Sequence, residues 1–417
     1  MAPNVRVMRQ ADINKLYDER VADRRPRTGQ PTSDNRRKSR RKPKIKWLER
    51  GMGLDLPFLL LVLTLLIVGM VMMFSASYPT AYYNHDGDSY FFVRRQLFYA
   101  AVGVAAMLGL SFFNYNKLHK LAVPIMFISY LTLIIVLLVP AKVHRWIDIG
   151  PINIQASEIT KLAIIVFFAH WASLYYDKMQ YARYSVVPGV VIFGSTALLL
   201  MLEPHFSGIV IIGILTVVML YIGGMKIKWF VYGFVLLVVA VIGAAATGLL
   251  GYAMERMDGW GQALTPANAD MWNLTWQTRN SLYAIGSGGL FGLGLGQSRQ
   301  KYLYIPEPQN DFIFAVVIEE LGLIGALIIL LIFALLVWRG ITLSLRSKDR
   351  FGRMLGIGLS SQIGIQVVLN ILVITDWLPN TGISLPFFSY GGSSLIMLLA
   401  QMGLILSISR TANIEKQ

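Results

Sequence analysis

Ten long apolar runs follow one another along the chain, separated by polar segments that are mostly short. An apolar run of about 17–25 residues is long enough to cross the hydrocarbon layer of a membrane as a helix. Backbone groups in that layer must be hydrogen-bonded within the spanning segment, and the alternating segments typical of a β-barrel do not occur. The pattern therefore predicts an all-α polytopic membrane protein with about ten transmembrane helices. The predicted spans are residues 56–75, 95–112, 121–140, 158–176, 188–203, 206–223, 229–250, 312–338, 354–374 and 391–409.

Composition points to the same fold class. Of the 417 residues, 55% are hydrophobic and 15% are charged, whereas a soluble domain carries about 25% charged residues. The mean hydropathy is +0.54. Because the chain has no cysteine, it offers neither disulfide bonds nor thiolate metal sites.

The distribution of positive charge predicts the orientation in the membrane. The formal net charge is +15, and residues 1–50 hold sixteen Lys and Arg side chains against six acids. With ten spans and both termini cytoplasmic, 29 of the 38 cations lie inside, as the positive-inside rule requires.

The same charge pattern divides the chain. Residues 1–50 are expected to be a disordered cytoplasmic tail drawn to anionic lipid rather than an arm that binds nucleic acid. No cleavable signal peptide is evident, so the first span is expected to act as an uncleaved anchor. Residues 51–410 form the predicted membrane domain, and 411–417 a cytoplasmic C-terminal tail.

One loop is much longer than the others. Residues 251–311 are predicted to form a large extracytoplasmic loop between the seventh and eighth helices, and a loop of this length is usually functional or disordered. Its aromatic residues argue against disorder; they suit an interfacial belt better than sugar stacking, although both remain open. Residues 286–296 contain six glycines but lack the spacing of a nucleotide site. We expect this glycine-rich segment to pack closely against helix ends or the membrane.

Several ionisable residues stand in or beside the predicted outer halves of the spans. Asp311 precedes the eighth span, and Glu319 and Glu320 lie inside it. An ionised acid within the membrane costs about 2.5–3.5 kcal/mol or more, which favours a functional role. Glu158 and Lys161 are three residues apart and share a helix face. The same predicted side also holds Arg94, Arg95, Arg145, Glu203 and His205.

These groups together indicate a polar cavity that opens to the outside. The last outer loop, residues 376–394, contains two prolines and several hydroxyl groups. Irregular backbone of this kind persists at membrane depth only where protein or a watery cavity covers it. The loop is therefore expected either to line the cavity or to form an ordinary capped turn.

Motifs spread over residues 50–410 occur in the order and topology of one known family. They are Arg145-Trp146 with residues 155–161, Glu203-Pro204, residues 281–289, residues 306–314 with 319–322, and residues 380–394. With these motifs the chain resembles the SEDS proteins (shape, elongation, division and sporulation), the FtsW/RodA/SpoVE type of peptidoglycan polymerase. The Pro306-Glu307-Pro308 form is more similar to the division and sporulation branch. The family usually has Pro and Asp where Ala156 and His205 stand here, and it often has Gln where Asn280 stands.

The resemblance implies a glycosyltransferase that joins lipid-linked disaccharide-peptide units (lipid II) into glycan strands outside the cytoplasmic membrane. An inverting transfer needs a single general base for the acceptor hydroxyl, and Asp311 is the candidate. Cations would stabilise the departing diphosphate, and a divalent cation (Mg or Mn) could share that role, although the sequence has no closed ligand set. The candidate cations are Lys161, Arg94, Arg145 and Arg279. The candidate supporting residues, which position Lys161 and the entrance to the eighth helix, are Glu158, Glu319, Glu320, Ser389, Gly391 and Gly392.

The resemblance also implies partners and a location. Lipid II and the nascent glycan strand are the expected substrates, and a class B penicillin-binding protein is the expected partner because this chain has no transpeptidase domain. Membrane lipids and other division proteins complete the expected partners, with no nucleic acid among them. The expected location is the bacterial cytoplasmic (inner) membrane, including the division septum.

Two other classes of function stay open from the residues alone. Intramembrane acids, a paired cation and broken helices also occur in transporters, which favours a lipid II flippase as one alternative. A non-catalytic division scaffold is the other.

Overall fold

The structure is a computed structural model, and it describes residues 53–138, 146–149, 152–246, 257, 259–266 and 269–412. The predicted tail 1–50, the predicted C-terminal tail from residue 413 and Arg145 lie outside these residues. The helices are α1 (Leu56–Asn84), α2 (Phe91–Ser111), α3 (Asn116–Leu138), α4 (Ala156–Leu174), α5 (Ala182–Leu202), α6 (Phe206–Ile222), α7 (Ile227–Ala246), α8 (Ala269–Leu274), α9 (Trp276–Gly288), α10 (Ile313–Leu345), α11 (Arg350–Ile374) and α12 (Gly392–Ala412). Strands β1 (Trp146–Ile149) and β2 (Ile152–Gln155) pair as an antiparallel hairpin before α4.

The described residues confirm the predicted fold class of an all-α polytopic membrane protein. Eight of the helices are long and apolar enough to cross a membrane: α1–α5 and α10–α12. Two shorter apolar stretches, α6 and Ile227–Leu236 within α7, bring the number in this part of the chain to ten. The β-hairpin and a short 3₁₀ helix over Tyr176–Lys178 are the other regular elements there, and the apolar pattern predicts neither.

The first helix continues well past its predicted end at residue 75 and stops at Asn84. The prediction ended where Ser75-Ala76-Ser77 interrupts the apolar run. In the structure Ser75, Ser77 and Thr80 are buried, so these polar residues face protein rather than mark a loop. The same helix accommodates Pro79 in its interior.

The eighth span, α10, is interrupted at Gly322, which has φ 70° and ψ −178°. The glycine-rich segment supplies the hydrogen bonds that the break would otherwise leave unmade. The amides of Leu323 and Ile324 donate to the carbonyls of residues 289 and 290 (2.9 and 3.1 Å), and those of residues 293 and 294 donate to the carbonyls of residues 319 and 320 (2.9 and 3.0 Å). This exchange confirms that the glycine-rich segment packs against a helix.

Three helices occupy the centre of the molecule. In the most apolar stretch of each helix, 61% of α4, 61% of α11 and 72% of α12 is buried, against 22–39% in the other long spans. The helix α11 packs on α10 and α4, and α12 packs along α2. The start of α4, the end of α11 and the start of α12 therefore come together at the predicted outer side.

Candidate active site at the joined ends of the central helices

Asp311 lies two residues before α10 and lines a polar cavity of about 330 Å³. The walls come from the large outer loop and from the loop between α11 and α12, which confirms that the latter lines a cavity. A cavity of this kind, with a few convergent polar groups, is the usual form of a ligand site. Its lining residues are Gly259, Trp260, Leu274, Thr275, Gln277, Thr278, Asp311, Asp376, Asn380, Thr381 and Gly382.

The backbone around Asp311 is fixed by side chains from two other elements. The Asn370 amide on α11 donates to the carbonyl of Asp311 and to that of Ile383, both at 2.7 Å. The Ser389 hydroxyl donates to the carbonyl of Asn310 at 2.8 Å and accepts from the Leu385 amide at 2.7 Å. The loop after α11 is thus tied directly to the segment that presents the Asp311 carboxylate.

Gly382 brings this loop against Asp311 because it has no side chain. Its φ is +69°, and a Cβ built on it would lie 3.0 Å from Asp311 Oδ2. A larger residue would be strained in its backbone and would press on the carboxylate. Gly382 also lines the neighbouring cavity that contains Lys161, so the backbone of this loop is what separates Asp311 from Lys161.

Lys161 and Glu158 form an ion pair near the start of α4. Lys161 Nζ lies 2.7 Å from Glu158 Oε1, and the two side chains are 4% and 9% exposed. The cavity beside them has a volume of about 30 Å³ and is also lined by His205, Gln366 and Gly382. Glu158 and Gln366 line a third cavity of about 40 Å³ as well, together with Ser389 and Gly391.

Glu319 and Glu320 bind the outer loop rather than Lys161. Glu320 accepts from Ser75 Oγ and from Lys301 Nζ, both at 2.8 Å. Glu319 accepts from the hydroxyl of Ser298 and the amide of Arg299. The carboxylates hold α1, the outer loop and the first turns of α10 together, at the entrance to the eighth span. Because they precede the break at Gly322 and have partners, they are not isolated charges within an apolar helix.

The structure separates two of the other candidate cations from these cavities. Arg94 is exposed and pairs with Asp88. Arg279 is 1% exposed and lies over the ring of Trp272, 3.8 Å from its centroid, with Trp276 on another side. Neither lines the three cavities described above. In this structure Arg279 packs α8 against α9.

The glycines at the start of α12 allow close packing. A Cβ on Gly392 would lie 2.6 Å from the ring of Tyr99 on α2, and the amide of Gly391 donates to Gln96 Oε1 at 3.3 Å. Together with Ser389, these residues position the loop that faces Asp311.

Several cavity residues are not among the candidates from the sequence. Trp260 is one of the outer-loop aromatic residues for which both an interfacial belt and sugar stacking were open. It lines the Asp311 cavity, and its indole donates to the carbonyl of Asp376 at 3.2 Å. Burial raises the pKa of the Asp376 carboxyl, although hydrogen bonds from the backbone at Gly261 and Ala263 act in the opposite direction. Across the cavity, Asn380 Nδ2 donates to Gln277 Oε1 at 2.9 Å. The sequence offered two signals for this part of the site: a tryptophan in the large outer loop and an additional acid in the last outer loop.

A further group stands at the third cavity. Burial raises the pKa of the Tyr390 hydroxyl, and a hydrogen bond with Arg95 lowers it in part. Arg95, rather than its neighbour Arg94, is therefore the cation of α2 that reaches the loop before α12.

The described residues contain no group of three or more His, Asp and Glu side chains arranged to hold a metal ion. Asp311 and Asp376 are the acids that line the largest of the three cavities. The geometry of these cavities supports chemistry by a carboxylate and a buried lysine.

The fold and the site together define a polytopic helical membrane protein with a carboxylate-bearing cavity where its central helices meet. The sequence family described as "Cell cycle protein", which comprises FtsW, RodA and SpoVE, matches residues 56–414. The chain belongs to this family, as its motifs indicated.

Relatives place the chain in the division and sporulation branch. It is 41% identical over 363 residues to stage V sporulation protein E of Bacillus subtilis, covering 85% of this chain and 97% of that protein. It is 36% identical over 356 residues to a probable peptidoglycan glycosyltransferase FtsW of Bacillus subtilis, covering 82% and 87%.

Solved structures share the fold. One, from work on the structural coordination of polymerization and crosslinking by a peptidoglycan synthase complex, matches with a TM-score of 0.72 and 25% identity over 87% of this chain and 100% of that chain. The rod shape determining protein RodA of Thermus thermophilus matches with a TM-score of 0.61 and 26% identity over 86% and 97%.

Proposed function

We propose that the protein is a peptidoglycan glycosyltransferase that transfers a lipid-linked glycan onto lipid II at the outer face of the cytoplasmic membrane, in cell division or sporulation. The relatives named as glycosyltransferases support the reaction class. The observation that carries the mechanism is the position of Asp311, in a cavity large enough for a sugar and one loop away from the buried Lys161.

In this reaction Asp311 is the general base. A hydroxyl of the acceptor sugar attacks the anomeric carbon of the donor, and its proton passes to the Asp311 carboxylate. The new carbon–oxygen bond forms as the bond to the diphosphate breaks, and the diphosphate leaves with the electron pair. One carboxylate opposite the leaving group is sufficient for inversion.

Lys161 is the cation best placed to stabilise the departing diphosphate. It is held by Glu158 and reaches a cavity that shares Gly382 with the Asp311 cavity. Fixed charges aimed at the position where charge develops are effective catalysts because they need no reorganisation during the reaction. Arg145 remains a proposed second cation at this side of the membrane.

We infer that a class B penicillin-binding protein is the partner, which is consistent with the fold shared with a chain from a peptidoglycan synthase complex. The multi-pass fold and the positive-inside charge bias support the bacterial cytoplasmic membrane, and the division branch supports the septum.

The test uses the full chain, purified with its partner and supplied with lipid II. Asp311→Asn keeps the shape of the side chain but cannot accept the proton, so strand synthesis should fall by about 10²–10⁴-fold. The matched control is Asp86→Asn, which makes the same change at an exposed residue with φ 49° in another loop and should leave the rate unchanged. Full activity of Asp311→Asn, in protein that elutes and melts like the parent, would exclude the mechanism.

The same preparation separates the alternatives. A flippase would move lipid II across vesicle membranes without forming polymer, and a scaffold would do neither. Glycan strands made by the parent chain, and lost with Asp311→Asn, are expected only of a polymerase.

A further inference from the structure

Trp260 stands at the wall of the Asp311 cavity with its indole nitrogen already engaged. The residue is 42% exposed, and Nε1 donates to the carbonyl of Asp376 at 3.2 Å. The edge of the ring is therefore occupied by protein. With the polar edge satisfied, the aromatic surface left for a ligand is the apolar face.

Asp376 holds the same segment by its side chain. Its carboxyl group lies where the backbone at Gly261 and Ala263, just after Trp260, favours its charged form. Asp376 thus holds the Trp260 ring through its backbone carbonyl, and its carboxylate faces the residues that follow Trp260.

The backbone at Asp376 shows that this side chain occupies a position better suited to glycine. Its φ is 61°, directly after the capped end of α11, and its amide donates to the Val373 carbonyl at 3.1 Å. Helices often end in this left-handed conformation, which glycine adopts without cost and which Asn and Asp adopt more readily than other residues. A side chain kept at such a position points to a use for that side chain.

We propose that Trp260 is the platform on which a sugar ring of the lipid-linked substrate stacks beside Asp311, and that Asp376 is the positioning residue that holds the platform in place. The inference rests on the proposed function, which it extends by naming a sugar subsite. The flat face of the indole matches the apolar face of a pyranose ring. The amides of Gln277 and Asn380, 2.9 Å apart in the same cavity, can exchange hydrogen bonds with the hydroxyl or acetamido groups of that sugar.

Hydrogen exchange tests the positioning role without any substrate. Asp376→Gly removes the carboxylate at a backbone angle that glycine prefers, so the fold should persist while exchange at the amides of Gly261 and Ala263 becomes at least tenfold faster. Asp376→Asn keeps an oxygen that can accept from both amides and tolerates the same φ, so its exchange should stay closer to that of the parent. Equal exchange rates at these two amides in the parent and both variants would show that the Asp376 carboxylate does not hold this segment.

Polymerisation kinetics test the platform. In the full chain with its partner and lipid II, Trp260→Ala should raise the half-saturating lipid II concentration about three- to tenfold. The maximal rate should change less, because Asp311 remains in place. Trp260→Phe keeps an aromatic face and should recover most of the loss.

The double variant decides whether the two residues act together. If Asp376 acts through Trp260, Trp260→Ala with Asp376→Gly should be no worse than Trp260→Ala alone, since residues in one network are not additive. Effects that multiply, or a Trp260→Ala protein with unchanged half-saturation, would overturn the inference. A parent chain that makes no glycan would instead refute the proposed function. An active parent whose half-saturating lipid II concentration is unchanged by Trp260→Ala would refute only the sugar subsite.

Discussion

Lys161 and Glu158 form an ion pair that is almost fully removed from water, with Nζ and Oε1 2.7 Å apart. Burying two charges carries a desolvation penalty that their attraction only partly offsets, so such a pair is weak evidence for stability. A functional role for the Lys161 charge explains the presence of the buried pair better. The ammonium group lies beside a cavity that borders Gly382, where it can meet a diphosphate.

A double substitution separates the structural and the functional contribution of this pair. Lys161→Met alone leaves the Glu158 carboxylate buried without its partner, and Glu158→Gln alone does the same to the Lys161 ammonium. Losing one partner of a buried ion pair costs about 3–5 kcal/mol of stability. Glu158→Gln with Lys161→Met removes both charges and should restore most of the melting temperature in detergent. Strand synthesis should nevertheless remain low, because the cation best placed to stabilise the leaving group is gone. A stable double variant that polymerises at the parent rate would contradict the role of Lys161.

Sequence reasoning succeeded where spacing along one element determines contact. Glu158 and Lys161 are three residues apart on one helix, so their pairing could be predicted from the chain. Glu319 and Glu320 instead contact residues from distant segments, namely Ser298, Ser75 and Lys301. Spacing along the chain cannot predict such contacts. For the same reason, the sequence could not predict the hydrogen bond between Trp260 and Asp376 or the burial of Arg279 between two tryptophans.

At the scale of elements, the interrupted helix α10 and the glycine-rich segment form one unit. The chain breaks at Gly322, and the amides and carbonyls freed on both sides of the break pair with residues 289–294. Gly292 lies so close to the carbonyl of Glu320 that a Cβ there would overlap it. The sequence predicted this close packing from six glycines but not the partner, because a break in an apolar run leaves no sign in hydropathy.

Two alanine substitutions isolate the close approach from the cost of the backbone angle. Gly292 and Gly296 both have φ +80°, but a Cβ on Gly296 would meet nothing within 4 Å. Both Gly292→Ala and Gly296→Ala should lose about 1–2 kcal/mol from the left-handed conformation. Gly292→Ala should lose clearly more, because the loop must move away from α10 and release its hydrogen bonds. Thermal unfolding in detergent measures the difference, and equal melting temperatures would show that the contact is not required.

At the scale of the whole molecule, the hydrophobic pattern was sufficient to predict the ten apolar helices, because each must satisfy its backbone alone. It could not predict which helices are central. The helices α4, α11 and α12 carry polar groups such as Gln366 and Asn370 that lower their hydropathy, yet these three are the most buried. Polar side chains that lie among helices rather than in lipid therefore mark the centre, where the cavities are.

Orientation is the remaining property of the whole molecule, and the absence of cysteine makes it directly measurable. The charge bias predicts that the glycine-rich segment lies outside and the turn between α4 and α5 inside. Leu295→Cys is at an exposed position of the former, and Asp177→Cys is at an exposed position of the latter. A membrane-impermeant maleimide should label Leu295→Cys in intact spheroplasts and Asp177→Cys only after lysis, while the parent chain, with no cysteine, stays unlabelled. The opposite pattern would place Asp311 on the cytoplasmic side, where it could not serve strand synthesis outside the membrane.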